Sequence, residues 1–157
     1  MKTHRTFAFA ALAAASLAAF SSIPSAIPAA WADPVTDRIA ALDPSVQDVR
    51  IAGDWEKDGR KGVYRIVVSR TAAEKPTARL FVQWIAVGID GSQTVDRTTE
   101  VSELVGLKLD IVDFVAETDP DGLSIFVETL DPANDTDQSY ELFIDSDGSY
   151  RFGPASN

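Results

Sequence analysis

Four Asp-Gly steps, at 58–59, 90–91, 121–122 and 147–148, each stand between runs rich in Val, Ile, Thr, Tyr and Phe. Gly and Asp tolerate the positive φ that a tight turn between antiparallel strands demands, so each step marks a hairpin. The strands predicted around these turns are 46–56, 61–69, 79–89, 93–103, 107–117, 123–130, 138–145 and 149–153. No βαβ alternation interrupts them, and the expected class is all-β: a mostly antiparallel, eight-stranded hairpin meander. A β-sandwich is favoured over a closed up-and-down barrel. Several strands are apolar on both faces, and the connections 70–78 and 131–137 are long enough to change sheets. Leu80 to Val87 is apolar on both faces and is expected to be a covered, central strand.

Each hairpin register can be tested against side-chain parity, because a one-residue slip moves every side chain to the other face. A two-residue turn at Asp58-Gly59 sets Val49 opposite Val68, Ile51 opposite Ile66, Gly53 opposite Tyr64 and Trp55 opposite Gly62. Asp48, Arg50, Asp54, Arg65 and Ser69 then share the other face, whereas a slipped register would place Ile51 against Arg65. The two aromatic rings are read as covering glycine gaps within the core. A two-residue turn at Asp90-Gly91 sets Trp84 against Arg97, a cation–π pair. Asp119-Pro120-Asp121-Gly122 is expected to be a type I turn followed by a glycine bulge. At the last hairpin, a three-residue loop with Gly148 as bulge pairs Ile144 with Tyr150 and Leu142 with Phe152.

The chain ahead of the first strand divides in two. Lys2, His4 and Arg5 precede a 14-residue apolar run from Phe7 to Phe20, and Ala30-Trp31-Ala32 is an A-x-A cleavage pattern. Residues 1–32 are therefore expected to be a cleaved secretory signal, with Ala30 and Ala32 at the cleavage site. A run of 14 is short of the roughly 20 residues that a spanning helix needs. The implied location is periplasmic or secreted, with no integral membrane segment once the signal is removed. Residues 33–44 read as a short helix or lid: Asp33 caps it, Pro34 opens it, and Val35, Ile39 and Leu42 share a face. Residues 45–153 form the single all-β domain, and 154–157 are read as a disordered tail.

Composition limits the chemistry. The only His and the only Met lie within the first 32 residues, and there is no Cys. From residue 33 onward the chain has no thiol or imidazole nucleophile, no Cys/His zinc site and no disulfide. A general base would have to be a shifted carboxylate, Lys or Tyr, and no serine sits in a nucleophile elbow. No enzymatic activity is expected and no catalytic residue is assigned.

Removing Lys2 and Arg5 takes the formal charge from −10 to −12, and that charge is unevenly placed. Residues 110–147 hold 12 acidic side chains and no Lys or Arg, whereas residues 33–108 hold 12 acidic and 11 basic ones. Such a surface repels phosphate, which argues against nucleic acid. It suits a basic envelope or host protein or peptide, with Asp119, Asp121, Asp145 and Asp147 as the candidate partner-binding residues. The expected function is thus an exported, monomeric binding module. Two alternatives stand beside it. One is a β-barrel holding a small hydrophobic ligand. The other is a Ca²⁺-stabilised envelope protein, with Asp58, Asp90, Asp121 and Asp147 as the candidate ligands because an up-and-down meander puts all four turns at one end. No other cofactor is expected.

Overall fold

The hairpins assemble into two separate sheets. The structure, a computed structural model, describes residues 33–156, so the segment expected to be a signal, with the expected cleavage site at Ala30 and Ala32, lies outside the described residues. The strands are β1 (Val46–Lys57), β2 (Arg60–Arg70), β3 (Ala78–Val87), β4 (Gln93–Glu100), β5 (Asp110–Asp119), β6 (Gly122–Asp131), β7 (Thr136–Asp145) and β8 (Tyr150–Pro154). They form two four-stranded antiparallel meanders, β1-β2-β3-β4 and β5-β6-β7-β8, here sheet A and sheet B. The architecture is an all-β sandwich with no closed barrel. Leu80, Val82 and Trp84 of sheet A meet Ile125, Val127, Leu142 and Ile144 of sheet B in one core. β3, the apolar strand, is internal to its sheet.

The chain changes sheets at a place the turn pattern did not indicate. The connections 70–78 and 131–137 each join neighbouring strands of one sheet, and the crossover is a short helix, α2 (Ser102–Leu107). Val105, Leu107, Leu109 and Ile111 alternate like a strand, which hides it. The competing signal is the three-residue spacing of Val101 and Leu104, both fully buried. Lys108, in the left-handed region at φ 56°, ends the helix. The Tyr150 hydroxyl donates to Glu103 Oε2 at 2.8 Å and ties the crossover to β8.

The register of β1 is half as expected. Trp55 does pair with Gly62, but a bulge at Ala52 and Gly53 shifts the rest, so Ile51 faces Arg65 and Arg50 faces Ile66. Gly53 adopts φ +115°, which a bulge requires and an L-residue resists. Val49 and Ile51 are consequently 50% and 60% exposed, while Arg50 turns toward sheet B. In β4 a second bulge, at Asp96, works the other way. The turn spans Gly88 to Ser92 rather than two residues, yet the bulge restores Trp84 to Arg97. The guanidinium lies 5.2 Å from the ring centroid.

In sheet B, Gly122 is not a bulge but pairs directly with Asp119 across a two-residue Pro120-Asp121 turn. A Cβ at Gly122 would lie 1.9 Å from the Ile144 carbonyl, so close strand approach is what demands glycine. The last hairpin is as expected, with Gly148 at φ +83° and Ile144 opposite Tyr150. Pro154, read as tail, ends β8, and the Ala155 amide donates to the Ser139 carbonyl at 2.9 Å.

The first helix, α1 (Pro34–Ala40), forms with Asp33 as N-cap, its carboxylate accepting from the Val35 amide at 2.9 Å. It does not act as a lid: no residue in it is buried, and Val35, Ile39 and Leu42 are all more than half exposed. No helix among the described residues is long and apolar enough to cross a membrane.

Candidate functional site

Two surfaces carry unusual chemistry: a cleft at the hairpin end of the sandwich and the outer face of sheet B. The cleft encloses about 390 Å³. Its walls are the β1–β2 hairpin with Lys57 and Asp58, β4 with Asp96 and Arg97, and the β5–β6 and β7–β8 turns with Asp119 and Asp147. Its floor is aromatic. Tyr64 and Trp84 meet edge to face with centroids 5.6 Å apart, and Trp55 lies beside them with its indole N–H on the Val63 carbonyl at 3.2 Å. Burial pushes the Tyr64 hydroxyl above its ordinary range, the Asp119 carboxylate adds to this, and the Trp84 side chain opposes it.

Three of the four Asp-Gly turns thus converge, and the Ser146 amide donates to the Asp121 carbonyl at 3.0 Å to join two of them. Asp90 does not border the cleft; its carboxylate accepts from the Ser92 amide of its own turn at 3.0 Å. The four aspartates considered for Ca²⁺ are not gathered, and among the described residues no three carboxylates stand close enough to hold an ion. The physical reason is local. Asp147 takes the Ser149 hydroxyl and amide at 2.6 and 2.8 Å, which hold its carboxyl below the usual range, helped by the charges of Lys57 and Arg97.

The expected partner-binding aspartates are used in the same manner. Asp119 accepts from the amides of Asp121 and Gly122 at 2.8 and 2.9 Å, and Asp145 from the Ser149 hydroxyl at 3.3 Å. Such side-chain caps satisfy backbone donors that a tight turn would otherwise leave open. The structure brings Asp119 and Asp147 to the cleft. Asp121 and Asp145 are not part of its lining.

Part of the acidic excess of residues 110–147 is met from across the sandwich. Arg50 donates to Asp113 at 2.9 Å and to the Phe114 carbonyl at 3.1 Å, and its guanidinium lies 4.3 Å from the Phe114 centroid. Arg70 donates to Asp110 at 2.5 Å and also reaches the Ile111 carbonyl. The Phe114 amide and then Arg50 hold Asp113 below the ordinary carboxylate range. Basic residues of sheet A therefore seat the acidic edge strand of sheet B.

What remains unmatched lies on the outer face of sheet B. Because Leu123, Ile125 and Val127 point into the core, Ser124, Phe126 and Glu128 point out. Pairing aligns Val115, Phe126 and Glu141 in one row, Asp113 and Glu128 in the next, and Glu117, Ser124 and Phe143 on the other side. Phe126 is 41% and Val115 56% exposed, and around them Glu117, Glu128 and Glu141 take part in none of the ion pairs among the described residues. Arg151 stands at the edge, 5.3 Å from the Phe143 centroid. Turn aspartates drew attention in the sequence, but these strand glutamates were the less conspicuous signal. Their outward parity follows from Ile125 and Val127 facing in.

No family model matches the chain, and neither a curated protein nor a solved structure is similar enough to count as a match.

Proposed function

We propose that the chain is an exported, monomeric, non-enzymatic docking module that presents the outer face of sheet B to a basic protein or peptide of the cell envelope or host. The observation that carries this reading is the set of unpaired glutamates, Glu117, Glu128 and Glu141, around exposed Phe126 and Val115. An aromatic anchor ringed by uncompensated charge suits a cationic amphipathic partner, which would relieve the repulsion and cover the ring. Asp145, on the same face of β7, faces Arg151 at 3.9 Å and so adds little free charge, and Asp121 lies exposed at its turn.

The absence of catalysis is part of the proposal. A carboxylate acting as a general acid near neutral pH needs a raised pKa. Every carboxylate with a resolved shift moves the other way, held down by turn amides, hydroxyls or arginine.

The test uses a defined cationic probe, lysozyme, with polylysine as a purely electrostatic control, in surface-bound titrations at low and high salt. Lysozyme is expected to bind at least about tenfold more tightly at low salt. Glu117→Gln, Glu128→Gln and Glu141→Gln combined, and separately Phe126→Ser, should each weaken it with the melting temperature held. Polylysine should respond to the glutamate changes but not to Phe126→Ser. Binding unaffected by the triple variant would overturn the reading. Export is checked by intact mass, expected to begin at Asp33.

A further inference from the structure

The hairpin-end cleft differs in chemistry from the sheet B face and is separate from it. Its rim mixes signs: Lys57 and Arg97 stand with Asp119 and Asp147, while Arg60 and Asp96 pair with each other. The carboxylates of this lining outnumber its three basic side chains, so an anion is repelled. A simple cation would engage the carboxylates alone and leave Lys57 and Arg97 without a partner in the ligand. A neutral ligand whose polar groups each donate and accept, that is, one bearing hydroxyls, uses both signs of the rim at once. Hydrogen bonds that such hydroxyls donate to carboxylates or accept from guanidinium groups are charge-assisted and stronger than neutral pairs. Tyr64 and Trp84 are buried and Arg97 lies against Trp84, so the half-buried Trp55 is the ring that offers apolar surface to the C–H side of the same molecule. The volume of about 390 Å³ falls within the range of small-ligand sites.

Arg97 is already set in place. It stacks on Trp84 and donates Nη1 to the Asp147 carbonyl at 2.8 Å, so its position requires no ordering when a ligand arrives. The Asp119 carboxylate is likewise fixed by the amides it caps. We infer that this cleft is a saccharide-binding site, taking a neutral mono- or oligosaccharide with its C–H face toward Trp55 and its hydroxyls between Lys57 or Arg97 and Asp119 or Asp147. This inference does not rest on the docking role of sheet B.

The experiment is isothermal calorimetry of the protein against neutral glucose-, galactose- and N-acetylglucosamine-based di- and trisaccharides, with spermidine and a sulfated glycan as charged controls. Trp55 and Trp84 are the tryptophans of residues 33–157 and both line the cleft, so indole fluorescence is followed in parallel. At least one neutral saccharide should bind saturably below about 10 mM and shift the emission. Trp55→Ala should weaken it about tenfold or more. Because Trp55 also packs on the core, Lys57→Met, at an exposed position, provides a second variant and should weaken binding without lowering the melting temperature. The Glu117, Glu128 and Glu141 substitutions should leave saccharide binding unchanged. Absence of a response to every neutral saccharide, a response to spermidine or the sulfated glycan alone, or binding that survives both cleft variants would overturn the assignment.

Discussion

Arg97 and Gly148 occupy each other's space: a Cβ at Gly148 would lie 1.7 Å from Arg97 Nη1. The glycine also sits at φ +83°, so two independent constraints meet at one residue. Gly148→Ala is expected to destabilise the domain by about 2–3 kcal/mol, combining backbone strain with displacement of the guanidinium from Trp84 and the Asp147 carbonyl. Gly59, at φ +74° with nothing within 4 Å, isolates the strain alone, and Gly59→Ala should cost about 1 kcal/mol. Urea unfolding of both variants, and of Gly148→Ala in an Arg97→Ala background, measures the difference. Equal losses at 148 and 59 would show that Arg97 does not hold the turn.

Gly62 and Gly122, near the start of the second strand of their hairpins, meet backbone rather than side chain. A Cβ would lie 1.8 Å from the Ile85 carbonyl at Gly62 and 1.9 Å from the Ile144 carbonyl at Gly122. A carbonyl in a strand ladder cannot swing away as a guanidinium can, so relief requires parting the strands. Either alanine substitution should cost about 3 kcal/mol or more, exceeding Gly148→Ala. Thermal unfolding decides the order, and a Gly122→Ala loss below that of Gly59→Ala would refute the crowding argument.

Turn chemistry made the fold readable. Asp-Gly steps marked the hairpins because their glycines act within a few residues of the turn, and Gly148 and the Trp55–Gly62 pair came out as expected. The bulge at Gly53 was not readable, because its cause is distant. A Cβ there would lie 2.7 Å from Thr118 of the other sheet, a contact that no local pattern records. The crossover helix was hidden by strand-like alternation from Val105 to Ile111, although Val101 and Leu104 carry its buried spacing. Among site residues, composition located the acidic half, but which carboxylates are free depends on hydrogen bonding. Asp119 and Asp147 cap turns, whereas Glu117, Glu128 and Glu141 face outward.

Arg70 fastens the two sheets along the β1–β5 side. It reaches Asp110, the Ile111 carbonyl and Gln47, and both members of its ion pair are largely covered, with side-chain exposures of 26% and 16%. Arg70→Ala should lower stability by about 2 kcal/mol, because it strands a partly buried carboxylate and a carbonyl together. Arg70→Lys should recover less than half of this, since an ammonium cannot serve three acceptors in a planar fork. Denaturant midpoints test both. Full recovery with lysine would reduce the contact to simple charge pairing.

Acid should destabilise the domain through named groups. Phe114 and Arg50 lower the pKa of Asp113 from its ordinary 3.8, and Ser149 lowers that of Asp147 from the same value. A depressed carboxylate contributes stability above its unfolded value and loses it as pH falls through the folded one. The melting temperature should therefore decline below about pH 4. Asp113→Asn and Asp147→Asn should each flatten that decline. Tyr64 acts on the opposite limb: its raised pKa makes stability fall as pH rises past its ordinary value of 10.0. Melting curves measured from acid to alkaline pH, with unchanged acid limbs in both asparagine variants, would remove these groups as the cause.

The bulge in β1 can be tested by where a polar substitution is tolerated. Ile51 is 60% exposed and pairs with Arg65, while Ile66 is fully buried and pairs with Arg50. Ile51→Thr should change stability by no more than about 0.5 kcal/mol, as surface substitutions usually do. Ile66→Thr should cost about 3 kcal/mol, from lost apolar burial and a hydroxyl placed in the core. An unbroken two-residue-turn register would instead pair the two isoleucines on the inner face, and both changes would then be costly. Equal losses in denaturant unfolding would therefore exclude the bulge. A tolerated Ile51→Thr would also explain why Gly53 is needed: it turns Arg50 inward to Asp113 and Phe114 at the cost of exposing Ile51.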